Sequence, residues 1–158
     1  MRWSAASCCG KERQVNEKFK QCLEDGKLIP FSRGKGLVKK ELSIAKSDLS
    51  DAKAGFENQR YKWSTVQAYY SMFHTARALI YSRCYREKSH HCLAVALRAL
   101  FVDEGLLEVQ IALDFTNAMS LREAADYEAE FLESGARAVI SSAEKFFKKA
   151  TAILSGEK

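Results

Sequence analysis

From Leu37 to about Gln59 the apolar or small positions Leu37, Leu42, Ile44, Ala45, Leu49, Ala52 and Phe56 recur every three or four residues, and charged residues fill the gaps. That spacing predicts one long amphipathic helix. In the next segment, Tyr61 to about Arg83, Val66, Tyr69, Phe73, Ala76 and Ile80 mark a core stripe. A second stripe runs beside it through Trp63, Gln67, Tyr70, His74, Arg77 and Tyr81, aromatic and polar at once. A helix with two such faces is expected to meet sister helices on one side and a partner or ligand on the other. Residues 84–88 read as a loop, with Ser89 placed to cap a third helix over about 90–104 that buries Leu93, Val95, Ala96, Leu97, Leu100 and Phe101 and ends at Gly105. A fourth helical stretch runs from about Leu107 through Leu121 and Tyr127, with a break near Asn117 to Ser120, and a last helix is expected over about 137–154. Ahead of all these, residues 11–25 carry Val15, Phe19, Cys22 and Leu23 at helical spacing, closed by Gly26 and Pro30, and FSRGKG at 31–36 reads as a basic flexible joint. No segment shows the period of two that marks a strand. The predicted fold is all-α, an antiparallel up-and-down bundle of four to five helices over 37–158, preceded by a helical extension and basic joint over 1–36.

Composition narrows the picture. A chain of 158 residues with 47% hydrophobic and 28% charged residues suits one globular domain. The longest apolar runs are a few residues, so no membrane span is expected and a cytoplasmic location is. Five cysteines without framework spacing read as free thiols, and neither a Cys-x-x-Cys nor a His-x-x-x-His spacing suggests a metal, so no cofactor is expected. The net charge of +5 favours an anionic partner without requiring one. Its clusters, Lys35 with Lys39 and Lys40, and Lys145 with Lys148 and Lys149, read as solvated helix faces.

Candidate chemistry gathers in three places. In YREKSHH (85–91) Arg86 and His91 stand with four residues between them, the spacing of an arginine–histidine pair in one class of helical ribonucleases. The bland alternative, favoured here, is a basic loop whose Ser89 caps a helix, with His90 and His91 in its first turn. Tyr70, His74, Arg77 and Tyr81 form a line of polar-tipped side chains suited to a polar interface or a nucleotide-sized cleft, or else to hydrogen bonds inside the bundle. Arg122 and Asp126, four apart on a helix, can pair and orient Tyr127, or Arg122 and Tyr127 can serve as a phosphate ligand and a stacking group.

These pieces carry a resemblance. Tyr69, Tyr70, Phe73, His74, Ala76, Arg77, Ala78 and Leu79, then Lys88, Ser89 and His90, then Arg122, Asp126 and Tyr127, stand in the order found in a branch of the HEPN family of small helical bundles. The resemblance covers roughly 37–155. It implies a homodimer, encoded beside a minimal nucleotidyltransferase in toxin–antitoxin or defence modules, that binds RNA or a nucleotide through Arg122 and Tyr127. In active members an arginine and a histidine cut RNA without metal. Here Arg122 fills the arginine position, but Asp126 and Tyr127 stand where the histidine would be. Three readings stay open: a binding module, a metal-independent endoribonuclease toxin with Arg122 and a histidine from His90 or His91, and an interaction scaffold with no nucleic-acid role.

Overall fold

The computed structural model describes residues 16–125 and 133–156. In chain order they form α1 (Glu17–Glu24), β1 (Leu28–Pro30), α2 (Gly34–Glu57), α3 (Tyr61–Ser82), β2 (Tyr85–Glu87), α4 (His90–Leu97), α5 (Val109–Ala125) and α6 (Glu133–Leu154). A π-helical turn, Arg98–Val102, continues α4.

Helix α3 is the centre of the bundle and packs against α2, α4, α5 and α6. Its Ala68, Tyr69, Met72, Ala76, Leu79 and Ile80 are fully buried, while Val66 of the expected core stripe is only half-buried. Small residues bring α2 close to it. Ser64 Oγ donates to the Ala52 carbonyl at 2.7 Å and Ser71 Oγ to the Ala45 carbonyl at 2.8 Å, a register that sets the two helices antiparallel. Both buried hydroxyls are thereby satisfied. Helix α6 buries Ala136, Val139, Ala143, Phe146 and Ala150 at three- and four-residue spacing. It too runs antiparallel to α2, since Lys53 pairs with Glu144 at 2.6 Å and Arg137 lies over the Phe56 ring.

Several expectations need correction. The chain does contain strands: β1 and β2 pair antiparallel, Leu28 opposite Glu87, Ile29 opposite Arg86 and Pro30 opposite Tyr85. Three residues are too few to display a period of two, and pairing across more than fifty positions leaves no local signal. Only part of the FSRGKG stretch is a joint, because α2 begins at Gly34. A Cβ at Gly34 would stand 2.5 Å from the Tyr81 carbonyl oxygen, so this glycine allows the start of α2 to lie on the end of α3. No break interrupts α5 at 117–120: Thr116 and Ser120 turn their hydroxyls back onto the Leu113 and Thr116 carbonyls and stay helical. The third helix ends in its π turn at Val102, before Gly105 takes φ +74°. Finally, Cys22 and Cys92 are not free thiols but form a disulfide with Cα atoms 5.8 Å apart, joining α1 to the first turn of α4. Of the described cysteines, Cys84 is the free one.

Candidate functional site

The site begins with two neighbouring tyrosines on α3. Tyr69 is fully buried and stacks on Phe115 of α5, with ring centroids 6.0 Å apart. Its hydroxyl reaches Nδ1 of His90 at 2.5 Å, and the His90 ring lies against Phe73 at 4.8 Å. His90 is held there by the cap before it, since Ser89 Oγ accepts from the Cys92 amide at 3.1 Å and fixes the first turn of α4. Tyr70, its ring centroid 5.3 Å from that of Tyr69, also meets α5. Arg122 donates to the Tyr70 hydroxyl at 3.2 Å, with its guanidinium 5.7 Å from that ring's centroid.

Charges within this cluster tune one another. Burial holds His90 below the usual histidine value, and the nearby Arg122 adds to the effect, so the imidazole is neutral at physiological pH. Burial likewise keeps the Tyr69 phenol protonated. Nδ1 of His90 is committed to Tyr69, so Nε2 is the nitrogen left for a ligand: a donor if Tyr69 donates to Nδ1, a basic lone pair in the other tautomer. A fixed cation and a neutral imidazole thus stand on adjacent tyrosines.

A second group lies beyond His90. Ile29, Arg77, Arg86, Glu87, Lys88, Ser89 and His90 line an open cleft of about 480 Å³ between β1, β2 and the start of α4. Behind it runs a chain of charges. His74 Nδ1 meets Glu41 Oε2 at 2.7 Å, Arg77 lies 4.0 Å from Glu41 Oε1, and Arg77 Nε donates to Glu87 Oε1 at 2.7 Å. Glu41 and Glu87 are buried, and burial raises the Glu87 carboxyl above the usual carboxylate range despite Arg77. The other oxygen of Glu87, Oε2, is buried with no hydrogen-bond partner among the described residues. An acceptor left so costs about 1–3 kcal/mol.

The structure therefore brings together Arg122, Tyr70 and His90 in one cluster, and Arg77, Arg86, Ser89 and His90 around one cleft. It does not bring His91 into either: His91 is exposed and absent from the cleft lining, so Arg86 shares its cleft with His90. Asp126 and Tyr127 lie outside the described residues. The polar stripe on α3 is mostly turned to internal partners, with Tyr70 on Arg122, His74 on Glu41 and Arg77 on Glu87, while Trp63 alone of its large residues is 59% exposed. Sequence reasoning missed Tyr69 as a polar group, took Lys88 only as part of a motif, and missed Glu41 and Glu87 altogether. Glu41 left a readable sign, for it falls on the buried face of α2 with Ala45, Leu49 and Ala52 at spacings of four, four and three.

Residues 38–154 match the sequence model of the HEPN domain. A Methanocaldococcus jannaschii protein bearing the name putative toxin is 35% identical over 106 residues, which are 66% of this chain and 79% of that protein. A Pyrococcus horikoshii protein of the UPF0332 family is 32% identical over 83 residues, 52% of this chain and 58% of that protein.

Proposed function

The chain belongs to the HEPN domain family, and from that premise we propose that it is a toxin-type member that binds RNA at the cluster of Arg122, Tyr70, Tyr69 and His90. The observation that carries this reading is the placement of Arg122 and His90 on the adjacent side chains of Tyr70 and Tyr69. Arg122 supplies a fixed cation for a phosphate, and His90 Nε2 supplies a neutral donor or acceptor beside it. The jannaschii relative's name supports the toxin reading. The resemblance adds a homodimer and a minimal nucleotidyltransferase as partner, which co-purification with a tagged chain would test.

The same geometry favours a second reading, metal-independent cleavage. Neutral His90 takes the proton of a ribose 2′-hydroxyl, that oxygen attacks the adjacent phosphorus to give a 2′,3′-cyclic phosphate, the P–O5′ bond breaks with the leaving oxygen taking a proton from water, and Arg122 stabilises the charge on the phosphate oxygens. Purified protein, folded and in EDTA, is incubated with labelled RNA beside Arg122→Ala, His90→Ala and His91→Ala. Binding is expected to weaken about tenfold in Arg122→Ala, as for loss of a charge-assisted contact, and to be unchanged in His91→Ala. If RNA is cut, cleavage disappears in both Arg122→Ala and His90→Ala. Equal RNA binding by Arg122→Ala and the unaltered chain would end the proposal.

A further inference from the structure

We propose that the cleft between β2 and the start of α4 is a ribonucleotide subsite, in which Arg86, Lys88 and the first turn of α4 hold a phosphate and Glu87 accepts from a ribose hydroxyl. The proposal rests on the RNA-binding reading above and extends it to a second nucleotide, because His90 belongs to both the cluster and the cleft.

Charge decides the first half. Arg77 is paired with Glu87, so the one carboxylate lining the cleft is already neutralised. Arg86 and Lys88 remain, both exposed and neither ion-paired with a carboxylate among the described residues. Arg86 is held in place by its guanidinium lying 5.4 Å above the Phe31 ring, and its strand is fixed by pairing with β1. Between these two cations and the N-terminus of α4, whose cap Ser89 also lines the cleft, an anion is favoured. A metal cation is not.

The buried carboxylate decides the second half. Glu87 lines the same cleft, and its Oε2 is the one buried side-chain acceptor among the described residues with no partner. Shielded as the side chain stands, that oxygen gains a hydrogen-bond donor when the carboxylate turns toward an occupant of the cleft. A second cation would face Arg86 and Lys88, so the donor that fits is a neutral one carried next to an anionic group. A ribose hydroxyl beside its phosphate has that chemistry, and a deoxyribose offers one hydroxyl fewer. At about 480 Å³ the cleft has room for one nucleotide rather than a strand.

The shared chemistry could come from an RNA chain or from a free nucleotide, and the experiment separates them. Fluorescence anisotropy measures binding of a labelled ribo-oligonucleotide and the deoxyribo-oligonucleotide of the same sequence to the full chain, with unlabelled AMP as competitor. The unaltered protein is expected to prefer the ribo form about fivefold, the worth of one neutral hydrogen bond. Glu87→Gln keeps an acceptor for Arg77 but presents an amide donor at the free position, and the preference should fall to near unity. Arg86→Ala with Lys88→Ala should weaken RNA binding at least about tenfold and reduce the slope of log affinity against log salt by about 1.4, as for two phosphate contacts on a single strand. Displacement by AMP at concentrations matching its own binding assigns the cleft to a free nucleotide, and resistance to AMP assigns it to the RNA chain.

Equal affinity for ribo and deoxyribo forms would overturn the proposal. So would unaltered RNA binding by the double variant, provided thermal melting shows all variants folded. In that case loss of binding in Arg122→Ala would leave the cluster reading standing while the cleft falls. Loss in the double variant with none in Arg122→Ala would instead leave the cleft standing while the cluster falls.

Discussion

At the scale of single residues, the pairing of Tyr69 with His90 has a consequence that can be measured without any ligand. His90 is held below its ordinary value in the folded protein. In the unfolded chain it returns to about 6.5. The unfolded state therefore binds the proton at a higher pH, so this residue's contribution to stability falls as the pH drops below about 6.5 and stops falling below the folded value. Glu87 and Asp48 are raised in the folded state, again chiefly by burial, and act in the opposite sense at lower pH. Those groups persist in a His90→Gln variant, so the difference between the two proteins isolates the histidine. Urea unfolding at pH 8 and pH 5 is expected to show wild type losing stability relative to His90→Gln on acidification; a constant difference would mean that burial does not shield His90. Some of this site was legible beforehand. Ser89 as a cap follows from local spacing, and the motif singles out Arg122, which the fold sets against Tyr70. The partners of each were not, because Tyr69 and His90 lie 21 positions apart and Arg122 and Tyr70 lie 52 apart, beyond any helical period.

At the scale of elements, helices were readable where a face repeats, and α2, α3 and α6 lie within a few residues of where their apolar stripes put them. What repeats nothing stayed hidden: two three-residue strands, and a disulfide between residues separated by 70 positions. That disulfide ties α1 to the helix carrying His90, and closing a loop of that length removes much of the unfolded chain's freedom. The chain-entropy relation gives about 4 kcal/mol for it, as an upper figure. Replacing both Cys22 and Cys92 by serine, or adding a reductant to wild type, is therefore expected to lower the unfolding free energy by about 2–4 kcal/mol. The double serine variant should no longer respond to reductant. If wild type melts identically with and without dithiothreitol, the bond does not contribute in this way.

At the scale of the whole molecule, the leading segment and the bundle read as separate stretches in the sequence, yet α1 and β1 place Phe19, Cys22 and Leu28 in the same buried cluster as α3 and α4. Burial of the Phe19 and Leu28 side chains is worth about 1.5–3 kcal/mol apiece, and β1 is the strand on which β2 is paired. Deleting residues 1–33 should accordingly leave a chain that still forms helices, since α2 to α6 keep their mutual contacts around α3. It should melt at a clearly lower temperature than the full chain and bind RNA less well, because Ile29 and the partner of the Arg86 strand leave the cleft together. Circular dichroism melting and anisotropy on the same two samples test both halves. A bundle that melts and binds as the full chain does would make the leading segment an appendage. A loss of RNA binding larger than that of Arg86→Ala with Lys88→Ala would instead show that the arm organises His90 as well as the cleft, because the disulfide and the strand pairing both converge on the start of α4.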